Sequence, residues 1–189
     1  MNAIFASLLT SAGLGAGAGL NAYATMLVFG LLARLRPGTF DGELAHFFAS
    51  TPVLSVVAVL YVIEFVADKI PAVDHVWDVI HTFIRPAAGA LVAWAAVSHS
   101  GIPHGVVIVA SVLAGTAALG THAAKATTRI ASTMATGGLG NPLLSLLEDL
   151  FAFVGALVAL LLPVLVLVVI VLGVLFFVRL RRRRQPART

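Results

Sequence analysis

Pro142-Leu-Leu-Ser-Leu-Leu-Glu-Asp-Leu-Phe151 opens a nearly uncharged run that continues through Pro163-Val-Leu-Val-Leu-Val-Val-Ile-Val-Leu-Gly-Val-Leu-Phe-Phe-Val178. The run stops at Arg179-Leu-Arg-Arg-Arg-Arg184. Its 37 positions would make a helix of about 55 Å at ~1.5 Å per residue. A hydrocarbon core is only about 30 Å thick. Either Pro163 separates two spans or one helix projects from the bilayer, and the sequence leaves both open. An arginine cluster directly after an apolar stretch is the positive-inside stop signal and a ligand for anionic head groups. Residues 179–189 therefore read as a basic cytoplasmic tail.

The whole chain shares this character. Of its 189 residues 60% are hydrophobic and 11% charged, and the mean hydropathy is +1.04. Soluble chains run near 45–50% apolar and about 25% charged, so an ordinary cytosolic enzyme is excluded, as is a disordered chain. The isoelectric point of 10.4 does not indicate a nucleic-acid partner. Six of the twelve basic residues lie in the last eleven positions, and the remainder has six bases against eight acids. There is no cysteine, hence no disulfide framework or thiolate site. No Lys or Arg precedes the first apolar run, so that segment reads as retained rather than as a signal peptide.

The expected fold is an all-α polytopic integral membrane protein of about four to six transmembrane segments, embedded in the cell membrane. Residues 1–178 form one membrane domain. The apolar stretch from Ile4 to Ala33 contains Gly13-Leu-Gly-Ala-Gly-Ala-Gly19. It reads either as one helix with a close-packing small-residue face or as two half-helices, broken or re-entrant at mid-membrane. Residues 34–50 read as a polar loop. Thr51-Pro52 opens a helix to about Asp68, with proline in the first turn where its missing N–H costs nothing. A short amphipathic helix over 73–84 and a separate apolar segment over 86–97 follow. Then comes an apolar stretch from Pro103 that runs directly into a polar helix over 121–133, and a turn at Gly137-Gly-Leu-Gly140.

An internal match suggests two related halves, residues 4–97 and 103–178, in the manner of inverted-repeat transporters. Thr51 to Tyr61 aligns with Asn141 to Phe151, with identities at Pro52/Pro142, Leu54/Leu144, Ser55/Ser145 and Leu60/Leu150. Gly19 to Thr25 aligns more weakly with Gly120 to Ala126, which pairs Asn21 with His122.

Ionisable residues inside membrane segments cost ~2.5–3.5 kcal/mol on insertion scales, which makes each a functional candidate. Glu64 and Asp68 share a helix face at i, i+4, and Glu148 and Asp149 lie two turns into the later helix. His122, Lys125 and Arg129, at i, i+3 and i+7, form the basic counterpart. Glu64 reads either as an ion-pair partner of Lys125 or Arg129 or as a protonatable, cation-binding carboxylate. Asp68 with Lys69 reads as an interfacial pair. Asp74, Asp78, His81 and Arg85 again share one face. The first three suit a divalent cation, because carboxylate plus imidazole fits Mn, Fe or Zn; a solvated face is the competing reading. His46, His75, His99 and His104 fall at loops or ends and read as solvent-facing. The chain has no GxSxG elbow, HExxH pair, Walker lysine or strand-borne GxGxxG.

Taken together, Gly19-Leu-Asn-Ala-Tyr23, Glu64-Phe-Val-Ala-Asp-Lys-Ile-Pro71 with Asp74, Arg85-Pro-Ala-Ala-Gly89, His122-Ala-Ala-Lys125 and Asn141-Pro142 through Glu148-Asp149 resemble a bacterial membrane family, the domain of unknown function family 4126. The resemblance spans nearly the whole chain and implies a membrane location, with no reaction attached.

The leading functional expectation is a small secondary transporter or channel-like permease. Its coupling acids would be Glu64, Asp68, Glu148 and Asp149, its counter-charges or anion contacts His122, Lys125 and Arg129, and Asn21 a polar ligand at the helix break. Homo-oligomerisation is expected, because so few helices rarely enclose a pathway alone. One alternative is a membrane enzyme or translocase acting on a lipid phosphate, with a metal on Asp74, Asp78 and His81. A structural or partner-binding subunit is the other.

Overall fold

The computed structural model describes residues 2–99 and 101–184, apart from the side chains of residues 71, 72, 74–76, 177 and 182–184. Among the described residues every regular element is a helix. In chain order these are α1 (Ala3–Leu20), α2 (Ala22–Leu35), α3 (Glu43–Ala49), α4 (Thr51–Ala67), α5 (Pro71–Val97), α6 (His104–Thr136), α7 (Asn141–Leu161) and α8 (Pro163–Arg184). Helices α1, α5, α6, α7 and α8 each contain a stretch long and apolar enough to cross a membrane. Helices α3 and α4, bent by 61° where they meet at Ser50, supply a sixth if they count as one span. The protein has the helices of a multi-pass membrane protein.

The first apolar run does break, but not at its glycines. Asn21 alone is extended, at φ −148° and ψ 110°, between α1 and α2. Gly13 to Gly19 stay helical and let α1 approach its neighbours. A Cβ on Gly13 would stand 2.6 Å from the Ala159 Cβ, and one on Gly15 or Gly19 would run into the carbonyl oxygens of Ala114 and Ala118. The bend at Asn21 is sharp, because Thr25 Oγ1 lies 3.0 Å from where a Cβ on Gly17 would be. In a straight helix residues eight apart are about 12 Å apart along the axis.

Three further boundaries differ from the sequence reading or settle it. The loop over 34–50 contains the short helix α3. Residues 73–84 and 86–97 belong to one helix, α5, with Pro86 inside it. A proline removes one backbone hydrogen bond, which membrane helices tolerate where a neighbour packs closely. Here α6 presses on that turn: a Cβ on Gly115 would stand 3.2 Å from the Pro86 carbonyl oxygen. At Leu162 the long apolar run divides ahead of Pro163, so α7 and α8 are separate helices.

Only the stronger aligned pair shares its local structure: Thr51 opens α4 and Asn141 opens α7, each with proline next. Asn21 sits at a break, whereas its counterpart His122 lies inside α6. The acids do not correspond either, since Glu64 aligns with Val154 and Glu148 with Ala58.

The interior has two layers along the helices. Leu14, Phe29, Phe40, Phe48, Val92, Val97, Val107 and Ala159 form an apolar cluster. It lies near the C-terminal ends of α5 and α7 and the start of α6. The opposite parts of these helices, with the end of α4, carry a buried polar layer: Glu64, Asp68, His81, Arg85, His122, Lys125, Arg129, Asn141, Ser145, Glu148 and Asp149. Helix α8 is apolar and exposed along most of its length, as a lipid-facing helix is.

Candidate functional site

The site is organised around the break at Asn21, which is fully buried. Its side-chain oxygen accepts the Ala24 N–H at 2.8 Å and so caps the start of α2. Its Nδ2 donates to Asp149 Oδ1 at 2.7 Å. A break exposes the negative end of one helix dipole and the positive end of the next. Both ends are answered: Arg85 Nη1 reaches the Gly19 carbonyl at 3.4 Å and Lys125 Nζ the Leu20 carbonyl at 3.3 Å. The Asp149 carboxylate lies beside the positive start of α2.

Two ion-pair groups flank the break. In the first, Lys125 Nζ lies 3.0 Å from Asp68 Oδ2 and 3.4 Å from Glu148 Oε2. Arg129 Nη2 bridges the same acids at 3.0 and 2.6 Å. Asp68 follows the last residue of α4. Burial alone would raise its carboxyl, but Lys125 and Arg129 outweigh that and hold it below the usual carboxylate value.

In the second group Arg85 Nη2 donates to Glu64 Oε1 at 2.8 Å, and both side chains are fully buried. Arg85 Nη1 lies 3.6 Å from Asp78 Oδ1 and also bonds His122 Nδ1. The Thr82 hydroxyl donates to the Asp78 carbonyl at 3.0 Å. It must then accept from His122 Nε2, 3.1 Å away. His122 is thereby placed in the neutral Nε2–H tautomer, with Nδ1 open to the arginine. His81 Nδ1 donates to the Trp77 carbonyl at 2.8 Å, leaving Nε2 at 3.8 Å from Glu64 Oε1.

A family model described as a domain of unknown function, DUF4126, matches residues 8–183. The chain belongs to that family. No curated protein and no solved structure matches it. The matched span of this family takes in the break and both ion-pair groups.

All eight residues expected on an ion or substrate pathway are buried in this one region: Asn21, Glu64, Asp68, His122, Lys125, Arg129, Glu148 and Asp149. Their pairing differs from the sequence reading in two places. Glu64 pairs with Arg85 rather than with Lys125 or Arg129. Asp68 pairs across helices rather than with Lys69, whose Nζ donates to the Phe65 carbonyl at 2.7 Å and lies 3.2 Å from that ring's centre. Arg85 is the residue that sequence reasoning left out of the site. Its signal was an arginine in line with Asp78 and His81 that continues straight into an apolar helix.

Of the expected metal face, only Asp78 and His81 lie among the described side chains. The Asp74 side chain lies outside them, Asp78 turns to Arg85, and His81 turns to Trp77 and Glu64. No group of three described His, Asp or Glu side chains is placed to hold a metal ion. His46 and His104 are exposed as expected and His99 is half-buried; the side chain of His75 is outside the described residues.

Among the described residues the cluster sets five carboxylates (Glu64, Asp68, Asp78, Glu148 and Asp149) against three fixed cations (Arg85, Lys125 and Arg129). Acidic side chains thus outnumber fixed cations among the described residues of the cluster. A groove of about 270 Å³, lined by Leu20, Thr121, Lys125, Glu148 and Phe151 among others, brings the surface to the Lys125–Glu148 pair.

Replacing Asn21 by alanine removes the α2 cap, worth ~1 kcal/mol, and the donor to Asp149. The expected result is a lower unfolding temperature in detergent, partly recovered by Asn21→Ser, which restores the cap alone. Equal stability of all three proteins would count against this role of Asn21.

Proposed function

We propose that the chain is a small secondary transporter or channel-like permease for a small ion or metabolite, coupled to protons or cations through its buried carboxylates. Asp149 carries the reading. It is 5% exposed, sits at a broken helix, bonds the Asn21 amide, and has no cation within ion-pair distance among the described residues. A carboxylate in that setting is stabilised by taking up a proton or a cation, because a lone buried charge is costly. The surplus of acidic over basic side chains in the cluster supports the same reading. Helix breaks beside buried ionisable groups are a usual plan for transporter binding sites. Lys125 and Arg129, shared between Asp68 and Glu148, act as counter-charges beside Asp149. The arginine-rich segment after Val178 sets the tail on the cytoplasmic side of the cell membrane.

The test is reconstitution in proteoliposomes loaded with a pH-sensitive dye and challenged in turn with small organic acids, amines and inorganic ions. Wild-type protein should move protons or ions with at least one of them. Asp149→Asn, which keeps the size of the side chain, should abolish that flux. Full flux in Asp149→Asn, or none in the wild type, would overturn the proposal. The dense pairing around Lys125 and Arg129 favours a structural subunit as the second reading, and absence of flux would put it first.

A further inference from the structure

We propose that protons reach Asp149 along a buried polar track on α7 formed by Asn141, Ser145 and Asp149; this deepens, and rests on, the transport reading above. The three residues fall at i, i+4 and i+8, on one helix face, with rungs ~6 Å apart. They are 2%, 0% and 5% exposed. Each has a buried oxygen, Asn141 Oδ1, Ser145 Oγ and Asp149 Oδ2, that makes no hydrogen bond among the described residues. One such atom costs about 1–3 kcal/mol. Three in register on one face mark a place built for a partner.

Ser145 is the most informative of them. Hydroxyls in the helices of this protein habitually donate to the carbonyl four residues back: Ser7 to Ala3, Thr82 to Asp78, Ser111 to Val107, Thr116 to Val112 and Thr128 to Ala124. Ser145 does not take that bond, so its hydroxyl remains available to a ligand. The two ends of the track are held in place. Asn141 Nδ2 donates to Thr133 Oγ1 at 2.9 Å, beside the turn that joins α6 to α7. Asp149 Oδ1 is fixed by Asn21 at the helix break. The track therefore leads from a helix end to the carboxylate proposed to couple transport.

Spacing selects the occupant. One water bridges only ~4.5 Å with hydrogen bonds of about 2.8 Å, whereas two waters in file span a ~6 Å rung. A bare hard cation holds oxygens at roughly 2.3–2.6 Å, so its ligands stand at most about 5 Å apart. Hydroxyl, amide and carboxylate in single file suit proton transfer through bridging water better than they suit a metal cage. The charged and titratable groups whose fields reach Asp149 are Asp68 and Lys69 at the end of α4, Tyr61 on α4, and Lys125 on α6.

Infrared spectroscopy of the full chain in lipid tests this without a transported substrate. A carboxylic-acid band should be lost in Asp149→Asn. Its deuterium exchange after transfer to heavy water should slow at least about tenfold in Ser145→Ala and recover in Ser145→Thr. Unchanged exchange in Ser145→Ala would overturn the track. So would the absence of an Asp149 band at every pH where the protein stays folded, or a band that responds to sodium or magnesium instead of pH. If Asp149→Asn loses flux while Ser145→Ala exchanges normally, the transporter stands and the track falls. Slowed exchange with full flux in Asp149→Asn removes the transporter and leaves the track.

Discussion

Arg85→Ala should be among the most damaging single substitutions in this protein, costing about 3–5 kcal/mol of stability. Truncation strands three groups at once. Glu64 Oε1 loses its 2.8 Å partner, His122 Nδ1 loses its donor, and the last carbonyls of α1 lose one of two cations. Glu64 and Arg85 are both fully buried, so water does not replace what is removed. The cost is the penalty of an orphaned charge rather than the net worth of the pair, and that distinction can be measured. Glu64→Gln combined with Arg85→Gln removes both charges and should recover most of the loss. Unfolding in detergent micelles of the wild type, the single variant and the double variant checks it. A loss below ~1 kcal/mol for Arg85→Ala would mean that the Glu64–Arg85 pair is not the buried ion pair described.

Gly15→Ala should cost about 1–3 kcal/mol by forcing α1 away from α6. The added methyl would meet the backbone of Ala114 rather than the tip of a flexible side chain, so a helix has to move. Alanine is the better helix former by roughly 1 kcal/mol, which offsets part of the loss but does not change its sign. Gly155 supplies the control. It lies inside α7, and a Cβ there meets nothing within 4 Å. Gly155→Ala should therefore be neutral or stabilising by up to ~1 kcal/mol. The α1–α6 contact is not as described if the two alanine variants unfold alike.

Much of this architecture is legible in the chain itself, for identifiable reasons. Apolar runs near or above twenty residues have few fates other than a membrane, and Pro52 and Pro142 mark helix starts because proline fits best in the first turn. The acids and bases of the polar layer stand out because charge is rare in such runs. Pro86 misled for the same local reason: proline reads as a breaker, yet α5 continues through it with α6 packed against the turn. The glycines of α1 left two readings open. Their weak helix propensity suggested a break among them, but packing on α6 and α7 holds them helical and leaves the extended residue at Asn21.

Composition and periodicity alone determined that this is an all-helical multi-pass membrane protein with an unusual set of buried charges, because burial, charge cost and helix length act locally along the chain. Which charge meets which was decided only by the tertiary structure. Glu64 and Arg85 are 21 positions apart, Asp68 and Lys125 57, and Asn21 and Asp149 128. No local rule connects such residues. Ion-pair and hydrogen-bond energies depend on distances of a few ångströms, and those are set by how the helices pack around the break at Asn21.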